Sequence, residues 1–280
     1  MMDLKLPFAL RGSELVEVAQ VERGLACGCV CPACGHRLIA RKGEKTIHHF
    51  AHGKSSMCGR AVETALHFAA KEILERRKEI RVPPVFVPAG AGYGRRFRLY
   101  EEQIVRFDRV QLEKKLDNIV PDVIIELMGR KMIVEIAVTH FIDEAKHKKL
   151  RQLDISTLEV DLSKVNRQIS LADLEEILID GLENKKWTIN TKAIEVRRKL
   201  EIIGVEHEIV HRGMAAHIDN CPIRARVWKG RPYANLIDDC FYCDYFFDSR
   251  GNEWSSHTHI TCLGHEKEKI DQIISRQNVA

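Results

Sequence analysis

Between residues 121 and 140 the chain reads Pro-Asp-Val-Ile-Ile-Glu-Leu-Met-Gly-Arg-Lys-Met-Ile-Val-Glu-Ile-Ala-Val-Thr-His, two apolar, β-branched runs joined by a turn at Gly129. So short a connection makes the two strands antiparallel neighbours. Strand alternation then puts Asp122, Ile124 and Glu126 on one face of the first, and Ile133, Glu135, Ala137 and Thr139 on one face of the second. Asp122 and Glu135 therefore converge at one end of a sheet. Glu135 stands between Val134 and Ile136, where a lone carboxylate is unfavourable unless a cation meets it. Two such carboxylates form a hard oxygen site suited to Mg²⁺ or Mn²⁺, and a cation held there suits phosphodiester hydrolysis. A turn aspartate after Pro121 and a glutamate paired with a core lysine or arginine satisfy the same pattern, so the pair alone does not decide.

The surrounding segments sharpen it. From Gln103 to Ser163 the order is strand (IVRFDRVQLE), strand (PDVIIEL), strand (KMIVEIAVTH), helix over Asp143–Leu153, strand (STLEVDL), the heart of an α/β domain. A helix precedes it, from about Ala61 to Ile80, with Val62, Leu66, Ala69 and Ile73 on one stripe and Glu63, His67 and Lys71 on a polar stripe beside it. That polar stripe lets Glu63 face the metal site. Pro83, Pro84 and Pro88 end the helix, and residues 88–94 read as a loop or hairpin tip. Residues 171–206 look mainly helical. The expected divisions are 1–60, a small metal-held module; 61–165, the α/β core; 166–206, a helical segment; and 207–280, a second Cys-rich module.

The nine cysteines gather towards the two ends of the chain. The start of the chain lacks an export signal and no apolar run approaches the roughly 20 residues that span a bilayer. A cytoplasmic, reducing setting follows, with metal ligation rather than disulfides. Cys31-Pro32-Ala33-Cys34-Gly35 is a zinc knuckle in outline, and His48, His49, His52 and Cys58 follow. His52 and Cys58 are the favoured completing ligands, with His49 as substitute, while Cys27 and Cys29 read as spare thiols. Four protein ligands leave no open position, so this zinc is structural. A second four-ligand set is Cys221, Cys240, Cys243 and Cys262, with eighteen residues on either side of the central pair. His257 or His259 can replace one thiolate there, and His211 and His217 are further options. Around this set lie Trp228, Tyr233, Tyr242 and Tyr245 beside Arg224, Arg226, Lys229 and Arg231, either the module's own small core or a stacking surface for exposed bases. The net charge of +4 is too small to identify a nucleic-acid binder, although basic residues cluster at 41–45, 95–98 and 146–151.

The order of a helix with Glu63, a strand to Glu113, Pro121-Asp122, Glu135-x-Ala137 and a helix with Lys146 resembles the PD-(D/E)XK nuclease superfamily. With CPACG, HHFAH and ETALHFAAKEIL in front, residues 8–163 more closely resemble the competence protein CoiA-like nucleases. The resemblance implies a restriction-endonuclease-like core, a four-stranded mixed sheet flanked by helices, and metal-dependent DNA cleavage with catalytic Glu63, Asp122 and Glu135. One departure matters: the superfamily places lysine two residues after the glutamate, and here that position is Ala137. Lys146, on the next helix, is placed to reach the same space, with Thr139 and His140 as second candidates. Without a substitute the domain would be a pseudo-nuclease, binding DNA or RNA and recruiting another protein. An HNH-type nuclease centred on HHFAH or the His257/His259 pair ranks lower, because zinc ligation uses those histidines better. No Gly-rich phosphate loop follows a strand, which argues against a dinucleotide oxidoreductase. The implied partners are DNA, single-stranded DNA included, a second copy of the chain, and proteins of a DNA-processing or defence system, with no membrane.

Overall fold

The computed structural model describes residues 5–44, 47–53, 58–87, 97–166, 168–250 and 258–275. The expected loop over 88–94, Arg95, Arg96 and His257 lie outside the described residues. The chain divides into two compact units, one of Met1–Pro83 with Gln103–Ile189 and one of Pro84–Glu102 with Asn190–Ala280.

The first unit opens with β1 (Phe8–Arg11) paired to β2 (Glu14–Glu17), then β3 (Leu38–Arg41) paired to β4 (His49–His52). Helix α1 (Ala61–Arg77) follows. Its residues Val62, Leu66, Ala69 and Ile73 are buried as the sequence pattern requires, and Ala65, Ala70 and Leu74 widen the stripe. The expected helix end at Ile80 is corrected: Lys78 adopts a left-handed conformation, donates to the Leu74 carbonyl, and starts β5 (Glu79–Val82). Alternating Ile80 and Val82 are the buried residues of that strand, which fits a pleated edge better than another helical turn.

The hairpin strands β6 (Val85–Val87) and β7 (Phe97–Tyr100) belong to the second unit, and β8 (Gln103–Arg106) returns to the first, pairing with β5. IVRFDRVQLE is thus two strands, β8 and β9 (Arg109–Leu112), broken at Phe107 and Asp108. Beyond them come β10 (Val123–Leu127), β11 (Arg130–Ala137), helix α2 (Glu144–Gln152), β12 (Ser156–Asp161), helix α3 (Leu171–Ile179) and β13 (Lys185–Ile189).

These form a mixed sheet in the order β13-β12-β11-β10-β9, with β11 and β12 parallel and the other neighbours antiparallel. The expected count of four strands is corrected to five. The fifth, β13, falls in the stretch expected to be mainly helical; Trp187, Thr188 and Ile189 favour an extended edge, and the free side of β12 supplies its hydrogen bonds. The helical part of that expectation is met by α3 and by α4 (Thr191–Ile203).

One face of the sheet, carrying Val123, Ile125, Val134, Ile136, Leu158 and Val160, shares a single core with α1 and with Phe8, Leu38 and Phe50 of the N-terminal hairpins. The opposite face carries Ile124, Ile133, Glu135 and Glu159, and α2 lies over it, with Lys146 donating to Glu135.

The second unit holds a six-stranded sheet. Its strands are β14 (Val205–Arg212), β15 (Ala215–Asp219), β16 (Arg226–Trp228), β17 (Arg231–Asn235), β18 (Phe246–Arg250) and β19 (His259–Cys262), in the order β16-β17-β15-β14-β19-β18. Helix α5 (Lys267–Ser275) ends the described chain. No helix of the described residues is long and apolar enough to cross a membrane.

Candidate functional site

In the β10–β11 ladder Val123 pairs with Val134, so Asp122 stands opposite Glu135 at its end. The Asp122 carbonyl accepts from the Glu113 amide at 3.1 Å, and Glu135 pairs across the parallel β11–β12 ladder with Glu159. Glu135 and Glu159 are thus neighbours on adjacent strands, with Asp122 and Glu113 at the adjoining ends just outside β10 and β9.

Asp122 is surrounded by positive charge and donors. Its Oδ2 accepts from the Ile136 amide at 2.9 Å, while His67 Nδ1 and Lys71 Nζ of α1 lie 3.5 and 3.3 Å from Oδ1. Lys71 also reaches Glu113 Oε1 at 2.6 Å. Burial alone would raise the Asp122 carboxyl, but the His67 and Ile136 bonds and the charges of His67 and Lys71 hold it well below the usual range.

Glu135 goes the other way. It is 3% exposed; its Oε2 accepts from Lys146 Nζ at 2.7 Å, while Oε1 is buried and accepts no hydrogen bond. Burial is the main reason its carboxyl is pushed up to about 7; Lys146 opposes the rise and the neighbouring Asp122 charge adds to it. Adjacent carboxylates whose proton affinities are driven apart are a frequent feature of chemically active sites.

The remaining predicted residues distribute around this pair. Lys146, in the first turn of α2, reaches Glu135 because Asp143 caps the helix by accepting from the Lys146 amide at 2.6 Å. Glu63 faces His140, with Oε1 3.4 Å from Nδ1, and His140 Nδ1 is 2.8 Å from Thr139 Oγ1. Burial works against ionisation of Glu63, but hydrogen bonds from Thr139 and His140 bring its pKa below the usual value. Arg60, Glu63, His67, Lys71, Glu113 and Asp122 line one cleft of about 590 Å³, to whose lining Glu135 and Lys146 do not contribute.

Glu159 was not anticipated. It is 1% exposed; Oε2 accepts from the Ile142 amide at 2.8 Å and Oε1 meets Lys186 Nζ at 2.7 Å. The signal was present in the sequence, since Glu159 sits between Leu158 and Val160 as Glu135 sits between Val134 and Ile136.

In the N-terminal segment Cys31, Cys34, His52 and Cys58 offer ligand atoms that all lie within 4.8 Å of one another. This Cys₃His set is of the kind that holds a structural zinc ion. The turn that presents it is tight: the Ala33 amide donates to Cys31 Sγ at 3.4 Å and the Gly35 amide to the Cys31 carbonyl at 2.9 Å, with Gly35 at φ 70°. Cys34 Sγ is 3.4 Å from His52 Nε2. Burial opposes thiolate formation at Cys34, yet the His36 amide and side chain, His52 and Cys31 lower its pKa to about 6. His49 is turned away, its Nδ1 2.7 Å from the Ile47 carbonyl, and His48 is exposed. Cys27 and Cys29 are buried and donate to the Leu38 and Cys27 carbonyls, apart from the cluster.

In the second unit Cys221, Cys240, Cys243 and Cys262 line one small cavity. Neither His259, whose Nδ1 is 3.1 Å from Thr258 Oγ1, nor His211 or His217 contributes to its lining. Trp228 and Tyr242 are 63% and 75% exposed, so neither belongs to the module's own core.

No curated protein and no solved structure matches the chain. Residues 18–60, the segment that carries the Cys₃His cluster, match the family model described as Competence protein CoiA, N-terminal domain, and over that segment the chain is similar to the CoiA family.

Proposed function

We propose that the first unit is a metal-dependent deoxyribonuclease of the PD-(D/E)XK type, with a restriction-endonuclease-like core. One observation supports this above the others: Glu135 Oε1 is buried without a hydrogen bond beside the Asp122 carboxylate. Such an arrangement is unfavourable for a purely structural carboxylate and fits two oxygen ligands of a divalent cation. Asp122 and Glu135 would hold the ion, which when bound supplies Lewis acidity towards a phosphodiester and its attacking water. Asp122 stays ionised through His67, Lys71 and the Ile136 amide. Lys146 brings to Glu135 the ammonium that Ala137 cannot supply, and it is the residue placed to hold or donate a proton there. Arg60, His67 and Lys71 line the cleft together with the carboxylates of Glu63, Glu72, Glu75, Glu113 and Asp122. A phosphate backbone would therefore approach it along Arg60 and a bound cation, while Glu63 lies 3.4 Å from His140. The likeness of residues 18–60 to a competence protein's N-terminal domain adds a competence-related setting to this reading.

The test is incubation of the purified chain with plasmid, linear and single-stranded DNA in Mg²⁺ or Mn²⁺. Cleavage that falls by about 10²-fold or more in Asp122→Asn and Glu135→Gln supports the assignment. Full cleavage in both variants overturns the site, and DNA binding without cleavage by the wild type points instead to the recruiting pseudo-nuclease.

A further inference from the structure

We infer that the second unit contains a structural zinc site of its own, with Cys221, Cys240, Cys243 and Cys262 as its four ligands. The cysteines come from separate places: Cys221 just beyond β15, Cys240 and Cys243 on one tight turn, and Cys262 at the end of β19. They meet around a cavity of about 30 Å³, room for a single ion, whose other walls include the apolar Ile218, Pro222, Ala234 and Ile260. All four are free thiols.

The backbone around them repeats the arrangement of the N-terminal cluster. There the amide two residues after Cys31 donates to its sulfur at 3.4 Å. Here the Tyr245 amide donates to Cys243 Sγ and the Gly264 amide to Cys262 Sγ, each at 3.4 Å and each from two residues on. Such bonds strengthen when the sulfur is a thiolate. Gly264 approaches so closely that a Cβ there would meet Pro222 Cγ at 2.9 Å and Cys262 Sγ at 3.4 Å. The chain thus leaves room for the amide at the sulfur and none for a side chain.

Thiolates gathered in an apolar wall repel one another unless a cation joins them, and four sulfurs with no carboxylate select zinc over magnesium or calcium. His207 also lines the cavity, but its Nε2 lies 2.9 Å from His265 Nε2 in a stacked pair, which leaves the sulfurs as the ligand set.

One buried cluster of the second unit comprises Ile209, Ile218, Cys221, Ala234, Leu236, Cys240, Phe246 and Ile260, so two of its eight residues are proposed ligands. A metal at this point would join β15, the central turn and β19 through that cluster. Four thiolates fill the coordination shell, so the ion holds structure and takes no substrate.

The test is metal analysis with zinc-edge X-ray absorption on the full chain. With both clusters filled, two zinc ions per chain and seven sulfurs to one nitrogen are expected. Cys240→Ser with Cys243→Ser should remove one ion and leave the three-sulfur, one-nitrogen spectrum of the N-terminal cluster. Should that variant not fold, the wild-type spectrum decides. A sulfur-only component supports the site, whereas zinc with only a three-sulfur, one-nitrogen shell, or none at all, overturns it. Retention of both ions by the double variant overturns it as well.

Discussion

Lys146 Nζ donates to Glu135 Oε2 at 2.7 Å, reaching from the first turn of α2 to a carboxylate in the middle of β11. The position two residues beyond Glu135 on the same face is Ala137, which carries no charge. The helix start is fixed by the Asp143 cap, so this ammonium is held by backbone geometry as well as by its ion pair.

Replacing Lys146 by Met should therefore lower DNA cleavage by about 10²- to 10³-fold while binding of DNA persists. Introducing lysine at the vacated strand position, as Ala137→Lys with Lys146→Met, should restore part of the rate. Initial rates on plasmid DNA, with affinity measured separately, check both; an unchanged rate in Lys146→Met removes this residue from the mechanism.

Glu159 anchors the segment that leads into α2 through the Ile142 amide. Glu159→Ala leaves that donor without its acceptor and Lys186 without its carboxylate, and should destabilise the first unit by about 1–3 kcal/mol. Glu159→Gln keeps an oxygen for the amide and should lose less. Thermal unfolding of the two variants orders them, and equal losses would show that the Ile142 bond contributes nothing.

The Cys₃His cluster joins the turn at Cys31 to β4 and to the residues just before α1. A strong chelator, or Cys31→Ser with Cys34→Ser, should lower the unfolding temperature of the first unit by about 5 °C or more. The chelator should have no further effect on that transition in the variant. Differential scanning calorimetry with and without chelator is the measurement.

Lys185 is buried, its ammonium donating to the Arg81 and Ile179 carbonyls at 3.0 and 3.2 Å. Burial lowers its pKa from 10.5 to about 8, with Asp180 opposing the fall. Because the folded value is the lower one, Lys185 penalises folding fully below about pH 8, and the penalty fades as pH rises towards 10.5. The stability of wild type relative to Lys185→Met should thus rise by about 3 kcal/mol across that window, on top of a constant loss from the two carbonyl bonds. Denaturant unfolding at pH 7.5, 9 and 10.5 reads this change, and a flat difference contradicts it.

Periodicity and alternation carried much of the first unit. The apolar stripe of α1, the antiparallel meeting of Asp122 with Glu135, and the placement of Lys146 all follow from local spacing, because helix and strand geometry alone set which side chains share a face. The Cys31-x2-Cys34 half of the metal cluster was legible for the same reason. What tertiary structure decided was anything that depended on a partner distant in sequence. The edge of β12 turned Lys185–Ile189 into a strand, and the left-handed Lys78 diverted Glu79–Val82 to pair with β8. His52 was set apart from His49 by which imidazole the β3–β4 hairpin directs at Cys34. Glu159 gained its place beside Glu135 from a parallel pairing that spans an intervening helix, and no local pattern records that register. Residue spacing determines faces, while hydrogen-bond pairing between distant segments determines neighbours, and the group of carboxylates exists only once both are in place.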